Sequence, residues 1–140
     1  MIAGPEWEIV EHTADVGIRG WGRDFPALVE ALARGLFEVI AGPGKVEARV
    51  AHKLRIEGVD REDLLHEALE GLNTLHQVRG ELYGEVRVEV VDTGLAMEVH
   101  GEPIDPDRHD LRTEVKAVTW HDLRVTETEK GWEGYVLLDI

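Results

Sequence analysis

The residues best suited to chemistry lie in the first and last stretches of the sequence. EHTADVGIRGWG, residues 11 to 22, places His12 and Asp15 in a glycine-rich segment. An Asp in such a setting either bonds its own backbone to make a turn or bulge, or offers its carboxylate to something else. The segment by itself leaves both readings open. YVLLDI, residues 135 to 140, closes an apolar run with Asp139, a residue type disfavoured in strands. Asp139 directly precedes the main-chain carboxylate of Ile140, so two negative groups stand a few ångströms apart. Like charges that close repel, and a bound cation relieves the repulsion. A solvated strand end is the alternative.

Other candidate groups fit known chemistry less well. His109–Asp110 and His121–Asp122 are sequence neighbours, which point oppositely in extended chain and make poor chelates. His66 and His76 are ten residues apart, too far for a zinc pair on adjacent helical turns. The chain has neither Cys nor Ser, which removes disulfides, thiolate metal sites and the common covalent hydrolase arrangements. No Gly-rich phosphate loop joins a strand to a helix. Carboxylates are too numerous to single out a glycosidase-like pair. An aromatic content of 6% is poor for stacking sugars or bases.

Charge narrows the partners. Against 15 basic residues stand 29 acidic ones, for a net charge of −14. Such a surface repels phosphate backbones, so direct nucleic-acid binding is not expected. It suits a basic protein, a cation or plain solubility. At 140 residues the chain fits one domain, residues 1–140. No stretch approaches the roughly 18 apolar residues of a membrane span, and no signal segment is visible. A cytoplasmic location is the expectation.

The candidate residues need a frame to hold them. Trp7 and Ile9, then Val16 and Ile18, alternate as one bulged strand or two short ones. Asp24 caps a helix whose Leu28, Val29, Leu32, Leu36, Val39 and Ile40 recur at helical period. A strand is expected from Val46 to Ile56, broken near His52. Asp60 caps a second helix, with Leu64, Leu65, Ala68, Leu69, Leu72 and Leu75 on one face, ending near Gly80. Val86–Val90 and Leu95–Val99 form a hairpin across VDTG. GEPIDPDRHD is a polar loop. One strand follows toward Trp120, another contains Leu123 and Val125, and residues 132–140 make the last. The predicted class is α+β: two amphipathic helices packed on a mostly antiparallel sheet of six to eight strands.

Taken together, EHTADVGIRGWG, the ALARGLFEVI helix, GEPIDPDRHDLRTEVKAVTWHDLRV and the terminal VLLDI closely resemble the archease family. The resemblance runs in order from Glu11 to Ile140. It implies a small acidic protein that assists the RNA-splicing ligase RtcB, promoting guanylylation of that ligase and its repeated turnover in tRNA splicing and RNA repair. It implies a protein cofactor and not an enzyme. The family's metal ligands match Asp15, Asp139 and Ile140, the last through main-chain oxygen. All-oxygen donors suit a divalent hard cation, Ca²⁺ first, with Mg²⁺ or Mn²⁺ as alternatives. Lys116, Thr119 and His121 of KAVTWH, with His12, are candidate contacts to the partner. The second helix departs from the family pattern, since LNTLHQV places Thr74, His76 and Gln77 where apolar or aromatic residues are usual. Two other functions compete. One is a chaperone-like modulator of a tRNA-modifying enzyme such as a methyltransferase, acting by surface binding alone. The other is an independent enzyme using a metal-bound water.

Overall fold

Period-two alternation yields seven strands and two apolar stripes yield helices, in a computed structural model describing residues 6–11, 14–42 and 44–140. In order they are β1 (Trp7–Glu11), β2 (Asp15–Gly22), α1 (Phe25–Ala41), β3 (Val50–Ile56), α2 (Arg61–Arg79), β4 (Glu81–Val91), β5 (Gly94–Pro103), β6 (Ala117–Thr128) and β7 (Gly131–Asp139). All the strand pairings are antiparallel. The α+β class and the number of strands are as expected. The strands divide, however, into two sheets, ordered β1-β2-β7-β6 and β3-β5-β4. No described helix is long and apolar enough to cross a membrane.

Helix α1 packs on both sheets, against β2 and against β4. Asp24 caps it by accepting the Ala27 N–H at 2.8 Å, and Gly42 ends it at φ 67°. Leu28 and Leu32 lie over Gly20 of β2, and Phe37 meets Tyr83 of β4 edge-on at 5.6 Å between ring centroids. The approach to β2 is close because Gly35 has no side chain. A Cβ there would stand 2.8 Å from Ile18 Cγ2.

Helix α2 does two jobs. Leu65, Leu69 and Leu72 are fully buried in the shared core. A second, polar face closes the open edge of the larger sheet. His66 Nε2–H donates to the Val118 carbonyl at 2.7 Å, and the Asn73 and Gln77 amides both donate to the Val115 carbonyl at 2.9 Å. Edge carbonyls left bare would invite pairing with another chain, and here side chains occupy them. This gives the unusual LNTLHQV segment its partners: Gln77 bonds the Val115 carbonyl just before β6, and His76 Nδ1–H donates to the Glu81 carbonyl at 2.7 Å.

Three boundaries differ from the sequence reading. The strand expected from Val46 starts at Val50, the Glu47 N–H before it being taken by the Glu102 carboxylate at 2.6 Å, and runs unbroken through His52, which pairs with Val99. The strands expected on either side of Trp120 are one, β6, whose pairing with β7 slips between Thr119 and Arg124. Asp122, at φ 57°, turns the chain within that bulge. Gly101–Pro103, expected in a loop, end β5.

Glu102 is fully buried and gathers the following segment around itself. It accepts from Glu47, from Arg108 and from His109 Nε2–H at 3.2 Å. His109 Nδ1 accepts the Asp105 N–H at 2.9 Å, which fixes Nε2 as the protonated nitrogen. The Glu47 amide first, then Arg108, hold the Glu102 carboxyl down to about 2 against the opposing effect of burial. A folded-state value below the ordinary 4.5 gives stability that is whole above that value and lost as pH falls through it toward 2. Glu102→Gln should therefore lower Tm at pH 7. Its thermal melts should also fall less steeply than the wild type's below about pH 4.5. Parallel pH profiles for the two proteins would remove Glu102 from this role.

Candidate metal centre

Strands β2 and β7 are the central pair of the larger sheet, and their register sets Asp15 directly opposite Asp139. Directly opposed residues share a face, with Cβ atoms about 4.5–5.5 Å apart. Val16, Ile18, Val136 and Leu138 face the core, so the alternate positions Asp15, Arg19, Tyr135 and Asp139 face outward. The two segments singled out in the sequence thus meet on the outer face of one sheet. Ile140 packs partly against the core, and the Lys116 N–H donates to the Asp139 carbonyl at 2.8 Å. Both contacts hold the final residues in place.

Like charges directly opposed across strands are destabilising. The arginines nearby are engaged elsewhere: Arg19 faces Glu8 at 3.8 Å, and Arg124 donates to the Asp122 carbonyl at 3.2 Å. Asp15 Oδ1 is buried and has no hydrogen-bond partner among the described residues. A buried carboxylate oxygen without a partner carries the desolvation cost of its charge, and a cation is the partner that removes it. Among the described residues no three His, Cys, Asp or Glu side chains gather to hold a metal. Asp15 and Asp139 would therefore act with main-chain oxygen, for which Ile140 is the adjacent source. This oxygen set fits a hard cation, and it leaves coordination positions open.

Asp15 also lines an open cleft of about 380 Å³ with Arg19, His121, Asp122, Arg124 and Tyr135. Tyr135 lies across Gly17, and the Arg124 guanidinium sits 4.8 Å from its ring centroid. Burial pushes the Tyr135 hydroxyl above its ordinary value, and the Asp122 and Asp15 carboxylates push it further. Of the candidate partner contacts, His121 lines this cleft, with Asp122 at 3.3 Å. The Thr119 hydroxyl accepts the His121 N–H at 3.2 Å. Lys116 lines a different cleft, beside Gln77 and Glu114. His12 lies outside the described residues. Sequence reasoning missed Arg19, Arg124 and Tyr135, and it set His121–Asp122 aside as pointing oppositely, whereas the bulge brings both into this cleft. Tyr135 shares the strand parity of Asp139 and was legible by that signal, whereas Asp122 and Arg124 reach the cleft only through the bulge.

Comparison with known proteins follows the same outline. Residues 7–140 match the model of the Archease protein family (MTH1598/TM1083). The chain is 39% identical over 139 residues to "Protein archease" of Pyrococcus abyssi, covering 96% of this chain and 98% of that one. The solution structure of protein 1598 of Methanobacterium thermoautotrophicum superposes with a TM-score of 0.80 at 30% identity, covering 96% and 99% of the two chains. A Thermotoga maritima crystal structure, described as an archease and possible chaperone, superposes at 0.67 with 19% identity over 100% and 98%. The last shares the fold alone.

The cleft depends on Gly17. A Cβ at that position would stand 2.8 Å from two carbons of the Tyr135 ring. Gly17→Ala should cost about 1–3 kcal/mol in urea unfolding, the range for overpacking a tight contact. An unchanged midpoint would mean that the ring yields without cost.

Proposed function

The chain belongs to the archease family, and on that premise we propose that it is a helper protein of the RNA-splicing ligase RtcB. It promotes guanylylation of the ligase and its repeated turnover while performing no reaction of its own. The observation that carries the reading is the opposed pair Asp15–Asp139, with Asp15 Oδ1 buried and unbonded among the described residues. A divalent cation, Ca²⁺ first, would be held there by Asp15, Asp139 and the main-chain oxygen of Ile140. It would supply electrostatic relief of the two carboxylates and open positions for a group of the partner.

The chain's own residues do the rest. The β2–β7 ladder fixes the two carboxylates on one face, and Ile140, seated on the core, stops the strand end from fraying. His121 and Asp122 of the bulge line the cleft, and Trp120 of the same bulge is 54% exposed while stacking on His66 of α2 at 4.1 Å. An exposed ring held in place by stacking offers a partner contact area that loses little freedom on docking. The net charge of −14 suits a basic, RNA-binding ligase and disfavours RNA itself.

Two measurements test this. Calcium at about one hundred times its Kd should stabilise the wild type by about 2.7 kcal/mol, and should leave Asp15→Asn and Asp139→Asn unmoved. Mixed with the ligase and GTP, the wild type should raise the yield of guanylylated ligase, and both variants should lose that effect. Stimulation that survives both substitutions would move the activity to the surface alone, as the chaperone-like reading requires.

A further inference from the structure

An apolar ring and an acidic helix face meet at Trp120. The β6 bulge carries His121 and Asp122 to the cleft and sets Trp120 against α2. The indole lies 4.1 Å from the buried His66 ring at an interplanar angle of 15°. One face of the indole is therefore covered, and the exposure of the residue belongs to its edge and its opposite face. Elsewhere arginines of this chain cover aromatic faces, at 5.5 Å over Trp7, 4.7 Å over Trp132 and 4.8 Å over Tyr135. Among the described residues no cation lies over Trp120 in this way.

The helix face that carries His66 is negative. Glu62 and Glu70 stand one turn before and after His66, and Glu67 directly follows it. Glu67 and Glu70, three apart on a helix, are neighbours of like charge and repel. Glu62 and Glu70 form no ion pair among the described residues. His66 sharpens the demand for a cation. Its Nε2–H donates to the Val118 carbonyl, so Nδ1 is an acceptor. Nδ1 is buried without a hydrogen-bond partner among the described residues, and the Glu67 carboxylate lies 3.5 Å from it. Two acceptors thus face each other, and positive charge beside Glu67 offsets their repulsion.

An aromatic face rimmed by carboxylates suits a guanidinium group. The planar cation stacks on the ring while its N–H donors reach the carboxylates, a geometry that a compact ammonium does not match. We infer that Trp120, with Glu67 and Glu70, receives an arginine side chain of the docked ligase, and that this contact sets how tightly the two proteins bind. The inference rests on the helper reading given under Proposed function and adds the chemistry of one contact. It uses neither the cation nor the Asp15–Asp139 pair. The net charge of −14 makes a basic side chain, and not a base of an RNA chain, the occupant of the ring.

Titrating this protein into ligase and GTP, and reading both the half-maximal concentration for guanylylation and the plateau, tests it. Trp120→Leu should raise the half-maximal concentration about tenfold, within the range of a cation–π contact, and still reach the wild-type plateau. Trp120→Phe keeps a ring and should shift it by about threefold at most. Glu67→Gln/Glu70→Gln should raise it about threefold, flatten its dependence on salt and leave Tm unchanged. Guanidinium chloride, well below denaturing concentrations, should raise it more than sodium chloride of equal ionic strength, and that excess should vanish in Trp120→Leu. A wild type that neither binds nor stimulates the ligase would remove the helper reading and this inference together. Stimulation with the same half-maximal concentration in Trp120→Leu, or equal effects of the two salts on the wild type, would overturn this inference alone. So would binding of a single-stranded oligoribonucleotide that Trp120→Leu abolishes, since the occupant of the ring would then be a base.

Discussion

The pairing register of β2 with β7 is the constraint on which the rest depends. It aligns Asp15 with Asp139, Ile18 with Val136 and Arg19 with Tyr135. A slip of one residue would turn every side chain of one strand to the opposite face. Either Ile18 or Val136, both fully buried, would then leave the core, and a carboxylate of the same strand would enter it. Core burial therefore enforces a juxtaposition of like charges that is unfavourable taken by itself. Apolar contacts under α1 set the register, and the outer face inherits its geometry from them. The site is rigid for a reason unrelated to its own chemistry.

The same economy shows at the sheet edges. α2 meets β6 with His66 and the segment just before it with Asn73 and Gln77, and α1 meets the β4 edge with Glu30, whose carboxylate accepts the Val88 N–H at 2.8 Å. Each helix thus packs an apolar stripe and also closes an open ladder with polar side chains. Asn73, the chain's one asparagine, sits buried for this purpose. On its cleft-facing side, β6 stays irregular where the bulge carries Trp120 to Leu123. One edge of the strand is tied down by a helix, while its middle is free to present side chains.

How much of this was readable in the sequence depends on the range of the signal. Both helices, their caps at Asp24 and Asp60 and the Gly80 stop follow from local residues, and the structure bears them out. The outward parity of Tyr135 and Asp139 also follows from period two. The division of the strands into two sheets does not, because it depends on α1 packing on both, a tertiary fact without local trace. Nor does the merging of two expected strands into β6. A bulge of four residues against one interrupts alternation just as a turn would. The start of β3 was misplaced because Glu102, 55 positions further along, takes the Glu47 N–H. The bonds of His66 and Gln77 to the Val118 and Val115 carbonyls, 52 and 38 positions along the chain, leave no local trace either.

The outer face also bears on what kind of protein this is. A hard cation asks for six or more oxygen ligands, and two side chains with main-chain oxygen supply fewer. The Tyr135 hydroxyl lies in the cleft, and His121 lies exposed beside Asp122. The cleft opens broadly onto the sheet face, so another protein's surface can reach it. On the reading proposed here, this chain contributes a held cation with open coordination positions, and the partner contributes the enclosure.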